Sequence, residues 1–224
     1  MKENQSIKQF VYNKIKEAIL TRKLPPGKQL VEHTISRNLN VSRTPIRNAI
    51  DMLDSDGLIE IIPNRGAFVI NPSIDEILQA YHLRKELEIM AVGMSINNLQ
   101  KEDFIQMEGF IKEENEALHK KDVIKYLEAN QNFHMAITKK CGNRFLIEFV
   151  DKLISRTSVY LILFDVFFEV NAPQAYGYKE HLEIIQLLKQ KKNKDVENYL
   201  SKHFNNAIKS LDVQTEYKDL DSIF

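Results

Sequence analysis

The sequence is poor in several features that would fix its class at once. Its single cysteine, Cys141, excludes a disulfide framework and any cysteine-based zinc ribbon. It has no long apolar run. The longest, Val159 to Val170, spans a dozen residues and contains Asp165. That is too short and too charged to cross a bilayer, so no membrane partner is expected. Met1 to Ser6 is polar and lacks the apolar core of a secretory signal, so a cytoplasmic location is expected. Proline is scarce and uneven: Pro25, Pro26, Pro45, Pro63 and Pro72 fall in the first 72 residues, and only Pro173 follows. Net charge is missing too, with 31 basic and 31 acidic side chains. Taken alone, that balance argues against a nucleic-acid binder.

What is present supports a folded chain of one large or two small domains. Of the 224 residues, 43% are hydrophobic and 28% charged, enough for a core and a solvated surface. The proline distribution puts a boundary near Asn71 to Ser73, giving domains at 1–72 and 73–224. Residues 1–72 hold 11 Lys/Arg against 7 Asp/Glu, a net +4. Residues 73–224 hold 20 against 24, a net −4. The neutral chain is therefore a basic small domain followed by an acidic larger one.

The first domain reads as three helices and a hairpin. Ser6 is placed to cap a helix that buries Ile7, Val11, Ile15 and Ala18. Leu24 to Gly27 ends it. A short helix follows with Val31, Ile35 and Leu39 inward, then a tight turn at Asn40-Val41. Ser42 is expected to cap a third helix that buries Ile46, Ala49, Ile50 and Leu53. Pro45 is tolerated in its first turn, and Gly57 suits a left-handed terminus. Leu58–Ile62 and Ala67–Ile70, joined by Pro63 to Gly66, read as a hairpin. The second domain reads as helices near 74–98, 102–120, 122–140, 144–169, 178–192 and 195–211. Breaks are expected at Asn97-Asn98, Lys121-Asp122, Cys141 to Asn143, Pro173 to Gly177 and Asn193 to Asp195. The fold class is mainly α: a winged helix-turn-helix and an all-α bundle.

Two helices about a tight turn, followed by a hairpin, form a winged helix-turn-helix, whose second helix enters the major groove. Its outward face here is Arg43, Thr44, Arg47 and Asn48. Arg43 and Arg47, four residues apart, leave the helix on one side and suit guanine edges or phosphates. Arg65-Gly66 lies at the hairpin tip, where a wing reaches the backbone or minor groove. The run Val41 to Ile50, with Leu53, Asp56 to Ile59 and Pro63 to Val69, resembles the N-terminal domain of GntR-family transcription regulators. Leu24 to Gly27 and Leu30 to Glu32 fit as well. The family usually has Glu where Asn48 stands. The resemblance implies DNA contacts at Ser42, Arg43, Thr44, Arg47 and Arg65-Gly66, with His33 where some relatives place an arginine.

Three histidines fall on inward stripes of three different helices. His134 lies with Phe133 and Ile137, His181 with Ile184, Ile185 and Leu188, and His203 with Val196 and Leu200. Asn130 lies one turn before His134. Converging imidazoles suit Zn²⁺ or Ni²⁺, whereas separate ones are ordinary hydrogen-bonded core residues; periodicity leaves both open. Arg84 lies on the stripe Ile77, Tyr81, Glu88, Ala91. Its partner is either Glu88, four residues on, or the carboxylate of a small effector. His82 and His119 read as surface or packing residues, and Cys141 as a loop thiol.

Leu83-Arg84 with Glu88, Asn130 to His134, Glu180-His181 and His203 resemble the FCD-type effector domain of the FadR subfamily. That resemblance implies metal ligation by Asn130, His134, His181 and His203, with Asn130 replacing the commoner Asp. It also implies an organic-acid effector at Arg84 and dimerisation through the bundle. The function expected is a homodimeric, metabolite-responsive regulator of a palindromic double-stranded DNA operator. Repression is the commoner sign in this family. Two alternatives compete: a metal-dependent enzyme using the three histidines, with Glu88 or Glu180 as base, and a regulator whose bundle only dimerises.

Overall fold

Val11, Ile15 and Ile19 recur at helical spacing and are all buried. They form the inner stripe of the first helix, α1 (Lys2–Leu20). The structure is a computed structural model, and it describes residues 2–164 and 177–211. α1 begins at Lys2, so Ser6 lies inside the helix and not at its start. The short strand β1 (Gln29–Leu30) leads into α2 (Glu32–Leu39), and a left-handed Asn40 turns the chain into α3 (Arg43–Ser55). Ile46, Ala49, Ile50 and Leu53 of α3 pack against α1, as their spacing predicts. Gly57 takes the left-handed conformation, with φ of 70°. β2 (Ile59–Ile62) and β3 (Gly66–Val69) then form the hairpin, pairing Ile62 with Gly66.

Three further expectations fail in this domain. Gln29-Leu30 is a third strand, on the far side of β3, in the order β1-β3-β2. Two residues carry no periodic signal, so only the pairing reveals it. Val31 does not point inward: it precedes α2 and is 47% exposed, while Ile35 and Leu39 pack on the core. Ser42 occupies the position before α3, but its side chain makes no capping hydrogen bond.

The bundle starts at α4 (Ile74–Ser95). Ser73 and Glu76 close its first turn reciprocally: the Ser73 hydroxyl accepts from Glu76 N, and the Glu76 carboxylate accepts from Ser73 N. α5 (Lys101–Lys120), α6 (Val123–Thr138) and α7 (Arg144–Phe164) follow, then α8 (Gly177–Lys189) and α9 (Asn193–Ser210). Asp122 caps α6, and the Asn143 side chain accepts from the first amides of α7. Asn193 to Asp195 form the first turn of α9; the break lies just before, at a left-handed Lys191. The 165–169 end of the helix expected over 144–169, and the break from Pro173 to Tyr176, lie outside the described residues.

One apolar core runs through both parts, from Val11, Ile46 and Leu58 to Phe133, Leu188 and Phe204. α1 touches α6 and α7, and Arg22 Nε donates to the Ile162 carbonyl at 2.8 Å. Among the described residues, no helix is long and apolar enough to cross a membrane.

Candidate functional site

The three histidines converge. His134 comes from α6, His181 from α8 and His203 from α9, and they are 1%, 0% and 7% exposed. Ring centroids lie 5.1 Å apart for His134–His181, 4.9 Å for His181–His203 and 5.5 Å for His134–His203. One ring nitrogen from each lies within 4.8 Å of the others. Phe133 stacks on His181 at 4.2 Å and fixes that ring's plane.

Each ring is also braced from behind by a carboxylate on its Nδ1. Glu88 of α4 holds His134 at 2.6 Å, Glu114 of α5 holds His181 at 2.8 Å, and Glu180 of α8 holds His203 at 2.7 Å. The braces are held in turn. Arg84 Nε donates to the other Glu88 oxygen at 2.6 Å, and Arg84 Nη1 donates to Thr157 Oγ1 at 2.8 Å. Asn206 Nδ2 donates to Glu180 at 2.6 Å.

The electrostatics fix the protonation pattern. Burial pulls His134 well below the ordinary imidazole range; Arg84 and His181 add to this, while Glu88 opposes it. Burial lowers His203 in the same way against Glu180. Burial pushes the Glu88 carboxyl up, but His134 and the Arg84 guanidinium outweigh it and hold it below the usual carboxylate range. At neutral pH the His134 and His203 rings are neutral. Nδ1–H donates to a carboxylate, which leaves Nε2 as a free lone-pair donor. His181 Nε2 is buried and has no hydrogen-bond partner among the described residues. A buried nitrogen left unpaired is costly, and here it faces two more imidazoles. Carboxylate–imidazole pairs around a shared centre are the donor set of a transition-metal site, so these residues fit a metal.

Asn130 is half-buried, one turn before His134, and its amide nitrogen approaches Glu114 Oε1 at 3.5 Å. Of the two partners open to Arg84, the structure supplies Glu88. Glu88 and Glu180, the bases an enzyme reading would need, are committed to imidazole nitrogens. His82 and His119 are exposed and Cys141 is buried. Sequence reasoning missed Glu114 and Thr157. A signal existed for Glu114, a charge on the apolar stripe Met107, Ile111, Leu118; Thr157 gave none.

The other face is on the winged domain. Ser42, Arg43, Thr44, Arg47 and Asn48 are all exposed at the start of α3. Arg47 Nε is forked on Glu32, 3.0 Å from both carboxylate oxygens. This tether from α2 was also missed. His33 beside it is exposed. Arg65 stands over the Phe68 ring at 5.6 Å, and its carbonyl accepts from Gln29 Nε2 at 2.8 Å. Gly66 has φ of 104°, and a Cβ there would lie 3.2 Å from Gln29 Nε2, so the wing tip requires glycine.

Known proteins resemble the chain over both domains. Residues 7–69 match the gntR family of bacterial regulatory proteins, and residues 79–206 match the FCD domain. The chain is 24% identical over 207 residues to the HTH-type transcriptional repressor RspR of Escherichia coli, covering 92% of this chain and 90% of RspR. It is 27% identical over 143 residues to the HTH-type transcriptional regulator McbR of E. coli, covering 64% and 65%. The solved structure of E. coli McbR/YncC superimposes with a TM-score of 0.73 at 22% identity, covering 95% of this chain and 99% of that one. A GntR family member from Pseudomonas syringae gives 0.53 at 23% identity, covering 97% and 88%. The basic winged helix-turn-helix and the helical domain behind it thus have one reading: the chain belongs to the GntR family of bacterial regulatory proteins, in its FCD-containing branch, and is a DNA-binding transcription regulator, not an enzyme.

Proposed function

We propose that this chain is a cytoplasmic, homodimeric repressor whose operator affinity is set by a metal and a small carboxylate in the helical domain, with the division near residue 72. Ser42, Arg43, Thr44 and Arg47 meet the major groove. Arg65-Gly66 meets the backbone or minor groove beside it, and His33 meets the flanking backbone. Repression is supported by the likeness to RspR, a transcriptional repressor.

The observation that carries the metal is the orphaned Nε2 of His181, facing two other imidazoles braced through Nδ1. His134, His181 and His203 would hold the ion, Zn²⁺ or Ni²⁺, with Asn130 as an amide-oxygen ligand. A bound ion would supply a cationic anchor for one carboxylate oxygen of the effector. Arg84 is its second anchor, pre-set by Glu88 and Thr157. A bundle that only dimerised would leave that buried nitrogen unexplained.

The homodimer is supported by an apolar face on two helices that pack together. Leu83, Met90 and Met94 of α4 and Phe145 and Phe149 of α7 are all exposed. Large apolar side chains gathered on adjacent helices mark an association surface. Operator recognition by two related half-sites needs two copies.

The test is metal analysis of untagged protein beside its His134→Ala/His181→Ala variant. One ion per chain is expected in the parent and none in the variant. Equal stoichiometry in both would refute the site.

A further inference from the structure

A cavity of about 280 Å³ lies between the winged domain and the bundle. It shares no residue with the histidine cluster. Leu20 of α1 and Leu58 after α3 form one wall; Leu127 of α6 and Val159 of α7 form the other. Three carboxylates line it, Asp56, Glu128 and Asp151, against one ammonium, Lys16. The volume is near the low end for small-molecule sites, roughly 300 Å³.

The acidic groups are unequally satisfied. Asp56 accepts from the Tyr12 hydroxyl, whose oxygen takes the Lys16 ammonium at 3.2 Å. Among the described residues, Asp151 accepts only the neutral Gln131 amide, at 3.0 Å. Glu128 has no hydrogen bond or ion pair among the described residues.

A second observation points the same way. Ser158 of α7 lines the cavity, is only 8% exposed, and has no hydrogen bond among the described residues. A buried helical hydroxyl ordinarily returns its proton to the carbonyl four residues back, as Thr157 does to Leu153 at 2.8 Å. Ser158 does not: among the described residues its hydroxyl has no partner, and it opens to the cavity rather than being sealed in the core.

We propose that this interdomain cavity is a second ligand site, for a short aliphatic amine. Its ammonium is held by Glu128 and Asp151, its methylenes lie against Leu58, Leu127 and Val159, and Ser158 Oγ accepts an N–H. The surplus of carboxylates selects a cation, and the leucines select a carbon chain over a bare ion. The site is separate from the histidine cluster and stands whether or not that cluster holds a metal. Because both domains line the cavity, an occupant favours one mutual placement of them and so changes operator affinity.

The test is calorimetric titration of the full chain with 1,4-diaminobutane, with butyrate as the anionic comparator of similar length. One saturable site is expected for the diamine and none for butyrate. Glu128→Gln, on an exposed side chain, should weaken binding at least tenfold with an unchanged melting temperature, as should Ser158→Ala. Glu86→Gln, an exposed carboxylate elsewhere, and His181→Ala should leave it unchanged. Absence of diamine binding, equal binding of butyrate, or equal losses in Glu128→Gln and Glu86→Gln would each overturn the site. Unchanged operator affinity at saturating diamine would overturn the coupling.

Discussion

Glu114 is the sharpest place to separate a metal brace from a structural strut. It is fully buried, and its identified partners are the His181 ring and, more distantly, Asn130. No arginine or lysine pairs with it among the described residues. In Glu114→Gln the side chain keeps its shape, and its carbonyl can still accept the His181 Nδ1–H. Only the negative charge is lost. Without metal, that removes a desolvated charge and keeps the hydrogen bond, so stability should stay within about 1 kcal/mol of the parent. With metal, the imidazole loses the brace that raises its basicity. Losing such a partner typically weakens metal binding by about 10- to 100-fold, or about 1.4–2.7 kcal/mol. At fixed excess zinc the same amount is lost from ligand-linked stability. For a chain of this length that is a fall of about 3–10 °C in melting temperature. The assay is thermal unfolding in excess zinc and in excess chelator, paired with a chelator-competition titration. The reasoning is refuted if Glu114→Gln melts several degrees lower in chelator while its zinc affinity matches the parent.

Four other outcomes follow from the structure. Arg43→Ala should weaken operator binding and reduce the salt slope by about one, whereas Glu32→Gln should tighten binding by releasing Arg47; fluorescence anisotropy across a salt series reads both. Acid should destabilise the metal-free protein early: burial lowers His134 and His203, so the unfolded chain takes up protons first. Their contribution is complete above the ordinary value of 6.5 and is lost as pH falls toward about 3 for His134. The expected slope is up to about 1.4 kcal/mol per pH unit per ring, read by denaturant titration in chelator. Phe149→Asp on α7 should convert a dimer to a monomer in sedimentation velocity while the fold persists; an unchanged dimer would move the interface elsewhere.

What the sequence disclosed depended on period. The α3 stripe Ile46, Ala49, Ile50, Leu53 and the α4 stripe Tyr81, Arg84, Glu88, Ala91 are regular over several turns, so their inner faces could be read directly. So could the inward aim of His134, His181 and His203. Gln29-Leu30 is too short to have a period, and Val31 is an apolar residue that stands just before α2, outside its periodic stripe. The carboxylate braces were hidden for another reason. Glu114 lies 67 residues from His181, and Glu88 lies 46 from His134. No local pattern encodes such a pair; each exists only because α5 meets α8 and α4 meets α6. Glu32 on Arg47 is the same case at a separation of 15 residues.

These braces also connect the two ends of the molecule. Glu88 and Arg84 are on α4, whose first turn is fixed by Ser73 and Glu76 only four residues after β3 ends at Val69. Arg84 is bonded through its other arm to Thr157 of α7, beside Ser158, which faces the winged domain across the interdomain cavity. A shift of His134 therefore has rigid outlets along α4 to the wing, through α7 to α1, and directly from α6 to α1. The balanced total charge fits the same division of labour. A net +4 on residues 1–72 is what phosphates would feel, because screening at physiological salt hides charge beyond about 8 Å. The net −4 on residues 73–224 leaves the histidine domain with no general attraction to DNA, so the proposed coupling to the operator would run through the helices that meet the winged domain, α4, α6 and α7.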